Sequence, residues 1–76
     1  MTGRLPTLNA RKIIQALKRA GFEEVRQHRS SHLFLANRTT NLETCVPIHG
    51  GDVGRSLVRA IVRQAGLTEE EFAKLL

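Results

Sequence analysis

The sequence is poor in the residues that stabilise small secreted domains and membrane proteins. Cys45 is the one cysteine among 76 residues, so no disulfide can form within the chain and no cysteine cluster can hold a metal. No apolar run approaches the roughly 18 residues that a membrane span needs. The first eight residues lack the apolar core of a signal peptide. We therefore expect a protein of a reducing, cytoplasmic compartment that does not span a membrane.

Length and composition predict one small folded domain. Hydrophobic residues make up 41% of the chain, and there are two prolines and six glycines, which is typical of a folded protein. A chain this short buries only about 60 to 65% of its unfolded surface, so its stability is expected to be marginal unless a partner adds to it. We treat residues 1–76 as a single domain, with a loose lead-in over residues 1–8.

Charge is the strongest bulk signal in the sequence. Nine arginines and three lysines stand against seven acidic residues, and three of these acids lie in the last nine residues. Residues 1–67 alone therefore carry a balance of +7. A field of this sign attracts polyanions, nucleic acid first, although many small domains are basic only for solubility.

Hydrophobic spacing predicts a first amphipathic helix from Ala10 to Ala20. Asn9 is a suitable N-cap, because its side chain can accept from backbone N–H groups of the first turn. Gly21 ends the helix, since glycine adopts the left-handed conformation most easily. The predicted buried stripe consists of Ala10, Ile13, Ile14, Leu17 and Ala20.

A second helix is predicted from about Val53 to Ala65, with Asp52 as a possible cap. Its predicted buried stripe consists of Leu57, Val58, Ile61, Val62 and Ala65, and its exposed face carries Arg55, Arg59 and Arg63. Thr68 and Glu71 have the spacing of a capping box, which predicts a short C-terminal helix within residues 68–76.

Three strands are predicted between the helices: Phe22–His28, His32–Asn37 and Glu43–Ile48. Arg29–Ser31 and residues 38–42 are polar turns, so the strands should form an antiparallel meander. The predicted fold is α+β with the order α-β-β-β-α, both helices covering one face of a three-stranded sheet. Alternation sends Val25, Leu33, Leu35, Val46 and Ile48 towards the helices, and it leaves Arg26, His28, His32, Phe34 and Cys45 on the open face.

Several segments, in this order and spacing, resemble the HicA family of small toxin ribonucleases. They are Leu17–Phe22, Val25–Gln27 followed by Ser30–His32, Val46–His49 and Arg59–Leu67. The resemblance covers about Asn9 to Leu76. It implies a fold like that of the double-stranded-RNA-binding domain, which agrees with the order deduced from periodicity.

The resemblance also implies a function. HicA proteins are toxins that cleave messenger RNA, are neutralised by a HicB antitoxin, and use one histidine in a Gly-Ser-His motif. His32 matches that histidine, while Ser30 stands where the family has glycine. We therefore expect an endoribonuclease with RNA and a HicB-like protein as partners, and with neither metal nor cofactor.

Chemistry suggests roles for the residues around His32. An imidazole exchanges protons near neutral pH, so His32 is the candidate general acid or base. The candidate RNA-binding residues are Arg26, Arg29, Ser31, Phe34, Arg59 and Arg63. Arg59 and Arg63 are included because they match the helix ending of the family, and their alternative role is contact with HicB. Phe34 could equally pack against a partner. His28 and His49 are interpreted as structural, and with Cys45 the histidines lack the spacing of a zinc site.

Two other functions fit the same sequence. One is an RNA-binding module that does not cleave, which the serine at position 30 keeps open. The other is an interaction protein whose basic face meets an acidic partner. RNA binding without product would indicate the first, and protein association without RNA affinity would indicate the second.

Overall fold

The computed structural model describes residues 7–29, 31–48 and 50–76, so the predicted lead-in falls largely outside the described residues. In chain order the elements are β1 (Leu8–Asn9), α1 (Ala10–Arg19), β2 (Glu23–His28), β3 (His32–Asn37), β4 (Leu42–Pro47), β5 (Asp52–Val53), α2 (Arg55–Gln64) and α3 (Glu69–Ala73). The predicted α+β class and the three-stranded antiparallel sheet are confirmed, in the order β2-β3-β4. Among the described residues, no helix is long and apolar enough to cross a membrane.

Both long helices pack on one face of the sheet, where β3 supplies the centre of the core. Leu33 and Leu35 are buried, whereas the alternate residues on this strand are exposed or half-buried. On β4, the buried Thr44 donates its hydroxyl to the carbonyl oxygen of Ile61 in α2 at 3.1 Å. The opposite face of the sheet therefore carries no helix among the described elements and remains open.

The helix ends follow the sequence signals at two of the three N-termini. Asn9 accepts from the Lys12 N–H at 2.9 Å, and the Thr68–Glu71 capping box forms with both of its hydrogen bonds. Asp52 was wrongly predicted as the cap of α2. It pairs with Asn9 in the β1–β5 ladder, and Gly54 occupies the N-cap without a side-chain bond.

Two residues predicted to face the core are exposed. Val25 is 47% exposed because a β-bulge between Glu24 and Arg26 leaves it without a partner on β3. Glu24 therefore takes the helix-facing position opposite Leu35, and it pairs with Lys18 of α1 at 2.7 Å. Leu57, in the first turn of α2, is 45% exposed, and the buried stripe of that helix is Val58, Ile61 and Val62.

Asn37 joins the end of α1 to the β3–β4 turn, a role that the sequence analysis did not assign. Its side-chain amide donates to the carbonyl oxygen of Ala20 at 3.2 Å, and its side-chain oxygen accepts from the N–H groups of Thr39 and Thr40. Gly21, with φ +104°, lies against this amide: a β-carbon there would come within 3.1 Å of Asn37 Nδ2. This contact fixes the sheet relative to α1.

Candidate active site on the open sheet face

The β2–β3 hairpin places the candidate catalytic histidine at the first position of a strand. The N–H of Ser31 donates to the carbonyl oxygen of His28 at 3.2 Å, which closes the turn. Arg29 has φ 55°, a backbone region that side chains with a β-carbon rarely adopt. Ser30 lies outside the described residues. The N–H of Ile48 donates to the carbonyl oxygen of Ser31 at 2.7 Å, so the turn is also anchored to the end of β4.

His32 is exposed and held from one side. Its Nδ1 lies 3.2 Å from the hydroxyl oxygen of Ser31, and its backbone neighbours across the sheet are His28 on β2 and Pro47 on β4. No described residue hydrogen-bonds Nε2. The imidazole is therefore fixed through one nitrogen while the other can meet a substrate.

Phe34 lies two residues further along β3, on the same face as His32. Its cross-strand neighbours are Arg26 on β2 and Cys45 on β4. The guanidinium carbon of Arg26 lies 4.2 Å from the centroid of the Phe34 ring, a cation–π contact. The Nη1 atom of Arg26 also donates to Oε2 of Glu43 at 3.0 Å. Three strands thus contribute to one layered contact of carboxylate, guanidinium and aromatic ring.

Cys45 lies beside this contact and responds to its charges. Burial raises the pKa of the Cys45 thiol, the charge of Arg26 lowers it, and the carboxylate of Glu43 raises it. The net direction is upwards, so the thiol is held mainly in its protonated, unreactive form. Cys45 is thus suited to packing beside Phe34 rather than to nucleophilic chemistry.

The predicted RNA-binding residues separate into two groups. Arg26, Arg29, Ser31 and Phe34 lie with His32 on the open face or in the turn that borders it. Arg59 and Arg63 lie on α2, which covers the other face of the sheet. Arg59 is further engaged with Glu69 of α3, at 3.1 Å.

The two other histidines were interpreted as structural from the sequence. His28 is exposed at the end of β2, opposite His32. His49 lies outside the described residues. Within the described ranges, no group of three or more histidine, cysteine, aspartate or glutamate side chains comes together as a metal site.

Glu43 is the functional candidate that sequence reasoning missed. Alternation along β4 already places it on the same face as Cys45, and therefore on the face of Arg26 and Phe34. Glu43 and Glu23 flank Ala36 on this face, so the face carries acidic as well as basic and aromatic side chains. The contact of Glu43 with Arg26 depends on the register of all three strands, and the bulge in β2 changes that register.

Comparison with known proteins gives one family. Among curated proteins, no sequence matched the chain closely enough to count as a relative. A family model described as the HicA toxin of bacterial toxin-antitoxin matches residues 10–67, from the start of α1 to just beyond α2. Because this match covers more than half of the 76 residues, the chain belongs to the HicA toxin family.

Proposed function

We propose that this protein is a toxin that cleaves messenger RNA, with His32 as the general acid and base and with a HicB-like protein as its antitoxin. The observation that carries the proposal is the position of His32. It is exposed at the head of β3 and held through Nδ1 by Ser31, in a member of the HicA toxin family. The membership supports a toxin with a cognate antitoxin, and the cleavage chemistry rests on the residues.

The reaction needs one group that can take up and return a proton. In the proposed step, Nε2 of His32 removes the proton from a ribose 2′-hydroxyl, whose oxygen then forms a bond to the adjacent phosphorus. The bond from phosphorus to the 5′-oxygen breaks, and the same proton passes to that leaving oxygen. The products are a 2′,3′-cyclic phosphate and a free 5′-hydroxyl.

Ser31 orients the imidazole in this proposal and is compatible with either neutral tautomer. When Nδ1 carries the proton and donates to the Ser31 hydroxyl, Nε2 keeps its lone pair and can act as a base. When the Ser31 hydroxyl donates to Nδ1, the proton of a neutral ring lies on Nε2. Ser31 is thus a positioning residue for His32, and the tautomer that can start the reaction is the one in which its hydroxyl accepts from Nδ1.

Guanidinium groups supply the positive charge that a pentacoordinate phosphorane requires. Arg29 is exposed in the turn before His32, and no described carboxylate forms an ion pair with it. Arg26 lies across the strand from Phe34 and becomes available to phosphate when it leaves Glu43. Either guanidinium can hold two phosphate oxygens at once.

The decisive experiment compares the wild-type protein with His32→Ala on a messenger RNA, in the presence of EDTA. We expect the wild type to yield fragments that end in 2′,3′-cyclic phosphate, and His32→Ala to cleave at least a hundredfold more slowly. His28→Ala is the matched control, because it removes the facing imidazole, and it should retain cleavage.

Together with measurements of RNA binding and antitoxin association by the same proteins, this experiment distinguishes the other functions. Cleavage by His32→Ala at the normal rate would overturn the catalytic assignment. RNA binding by the wild type without any product would indicate a binding module. Association with the antitoxin in the absence of RNA affinity would indicate an interaction protein.

A further inference from the structure

The guanidinium of Arg26 occupies a site that fits a flat ligand bearing N–H groups. It lies over the Phe34 ring, 4.2 Å from the ring centroid, and it reaches Glu43 with a 3.0 Å hydrogen bond. A planar donor stacked on Phe34 can therefore meet the Glu43 carboxylate. The side chains of Arg26 and Glu43 are both more than two-fifths exposed, so their ion pair is accessible to a competing ligand.

Guanine has the same chemical fragment at its pairing edge. Its N1–H and its 2-amino group are joined through one carbon, so they form a planar pair of donors that a carboxylate can accept together. Adenine and cytosine offer one amino group at this edge, and uracil offers one imino N–H. An aromatic ring beside a carboxylate thus favours guanine over the other three bases.

We propose that Phe34 and Glu43 form a guanine-reading site for RNA, which Arg26 fills in the free protein. This inference rests on the proposed function and adds a sequence preference to it. When guanine stacks on Phe34 and bonds to Glu43, Arg26 is released and can move to a neighbouring phosphate. Arg26 thus covers the site in the free protein and binds a phosphate of the RNA in the complex.

The position of His32 relates this site to cleavage. His32 and Phe34 are two residues apart on the same face of β3, roughly 7 Å along the strand. A phosphate next to a guanine stacked on Phe34 therefore lies within reach of the imidazole. Cleavage is expected at bonds adjacent to guanosine.

The test uses short 2′-O-methyl oligonucleotides, which bind but cannot react because the attacking hydroxyl is blocked. A uridine tract carries a single guanine, inosine or adenine, and fluorescence anisotropy gives the affinity of the wild-type protein for each. Inosine lacks only the 2-amino group of guanine. We expect the guanine oligonucleotide to bind about tenfold more tightly than the inosine one.

Two variants locate the preference. Glu43→Gln should reduce the ratio of the affinities for the guanine and inosine oligonucleotides to nearly one. Glu23→Gln is the matched control, because Glu23 is an exposed carboxylate on β2 that pairs with Arg38. It should leave the ratio of guanine to inosine affinity unchanged.

Equal affinity of the wild type for guanine and inosine would overturn the proposal. So would a preference that survives in Glu43→Gln, because another group would then recognise the base. Failure to bind any of the oligonucleotides would instead remove the proposed function itself.

Discussion

Arg29 combines a strained backbone with a charge proposed to bind phosphate. Its φ of 55° costs a residue with a β-carbon about 1 kcal/mol, and glycine avoids that cost. We expect Arg29→Gly to be about 1 kcal/mol more stable to urea than Arg29→Ala. Both variants lose the guanidinium and should lose similar RNA affinity.

This pair of variants separates the effect of backbone conformation from the effect of the positive charge at position 29. Equal stability of the alanine and glycine variants would show that the turn relaxes around the side chain. RNA affinity that falls only in one of them would show that turn shape, and not the guanidinium, governs binding.

At the scale of residues, the sequence predicted which groups share the open face but not how they contact one another. Alternation placed Arg26, Phe34 and Cys45 together, and these residues are cross-strand neighbours. The ion pair between Arg26 on β2 and Glu43 on β4 depends on side-chain reach across β3. Such reach has no signature in the order of residues along the chain.

At the scale of elements, the sequence predicted the regular strands correctly and did not predict local irregularities. The strand His32–Asn37 was predicted with its observed bounds, and its burial alternates from residue to residue as expected. Val25 was placed wrongly, since a bulge shifts the alternation by one residue. The two-residue strands β1 and β5 were not predicted, because so short a segment has no period to detect.

Asn37 provides a test of how elements are held together. Asn37→Ala removes the donor to the Ala20 carbonyl and the acceptor of two N–H groups in the turn, so these groups lose their partners. We expect a loss of about 2 kcal/mol in the free energy of unfolding, measured with urea. Thr39→Ala keeps its backbone N–H and is exposed, so it should change stability by less than about 0.5 kcal/mol.

If Asn37→Ala had the same free energy of unfolding as the wild type, the hydrogen bonds of this buried amide would not be needed for stability. The turn between β3 and β4 and the end of α1 would then have to be held by apolar packing alone.

At the scale of the whole molecule, the formal charge of +5 should govern RNA affinity. Each phosphate neutralised on a single strand contributes about −0.7 to the slope of log affinity against log salt. We expect binding by His32→Ala to weaken steeply between about 50 and 200 mM salt, and Arg29→Ala to reduce the slope by about 0.7. Fluorescence anisotropy with a 2′-O-methyl oligonucleotide measures both quantities.

Lys74→Ala is the control for this prediction, because Lys74 follows the acidic helix α3 and lies far along the chain from the proposed site. It should leave the slope unchanged. Affinity that does not vary with salt would contradict an electrostatic contact with the RNA backbone.

The alternation of β3 has a consequence for how such toxins can diversify. Leu33 and Leu35 maintain the folded state, while His32, Phe34 and Ala36 point to the uncovered side. With His32 kept, Phe34 and Ala36 can be exchanged in combination without repacking the interior. A library that varies these two positions on a fixed interior is therefore a way to seek new RNA preferences from one scaffold.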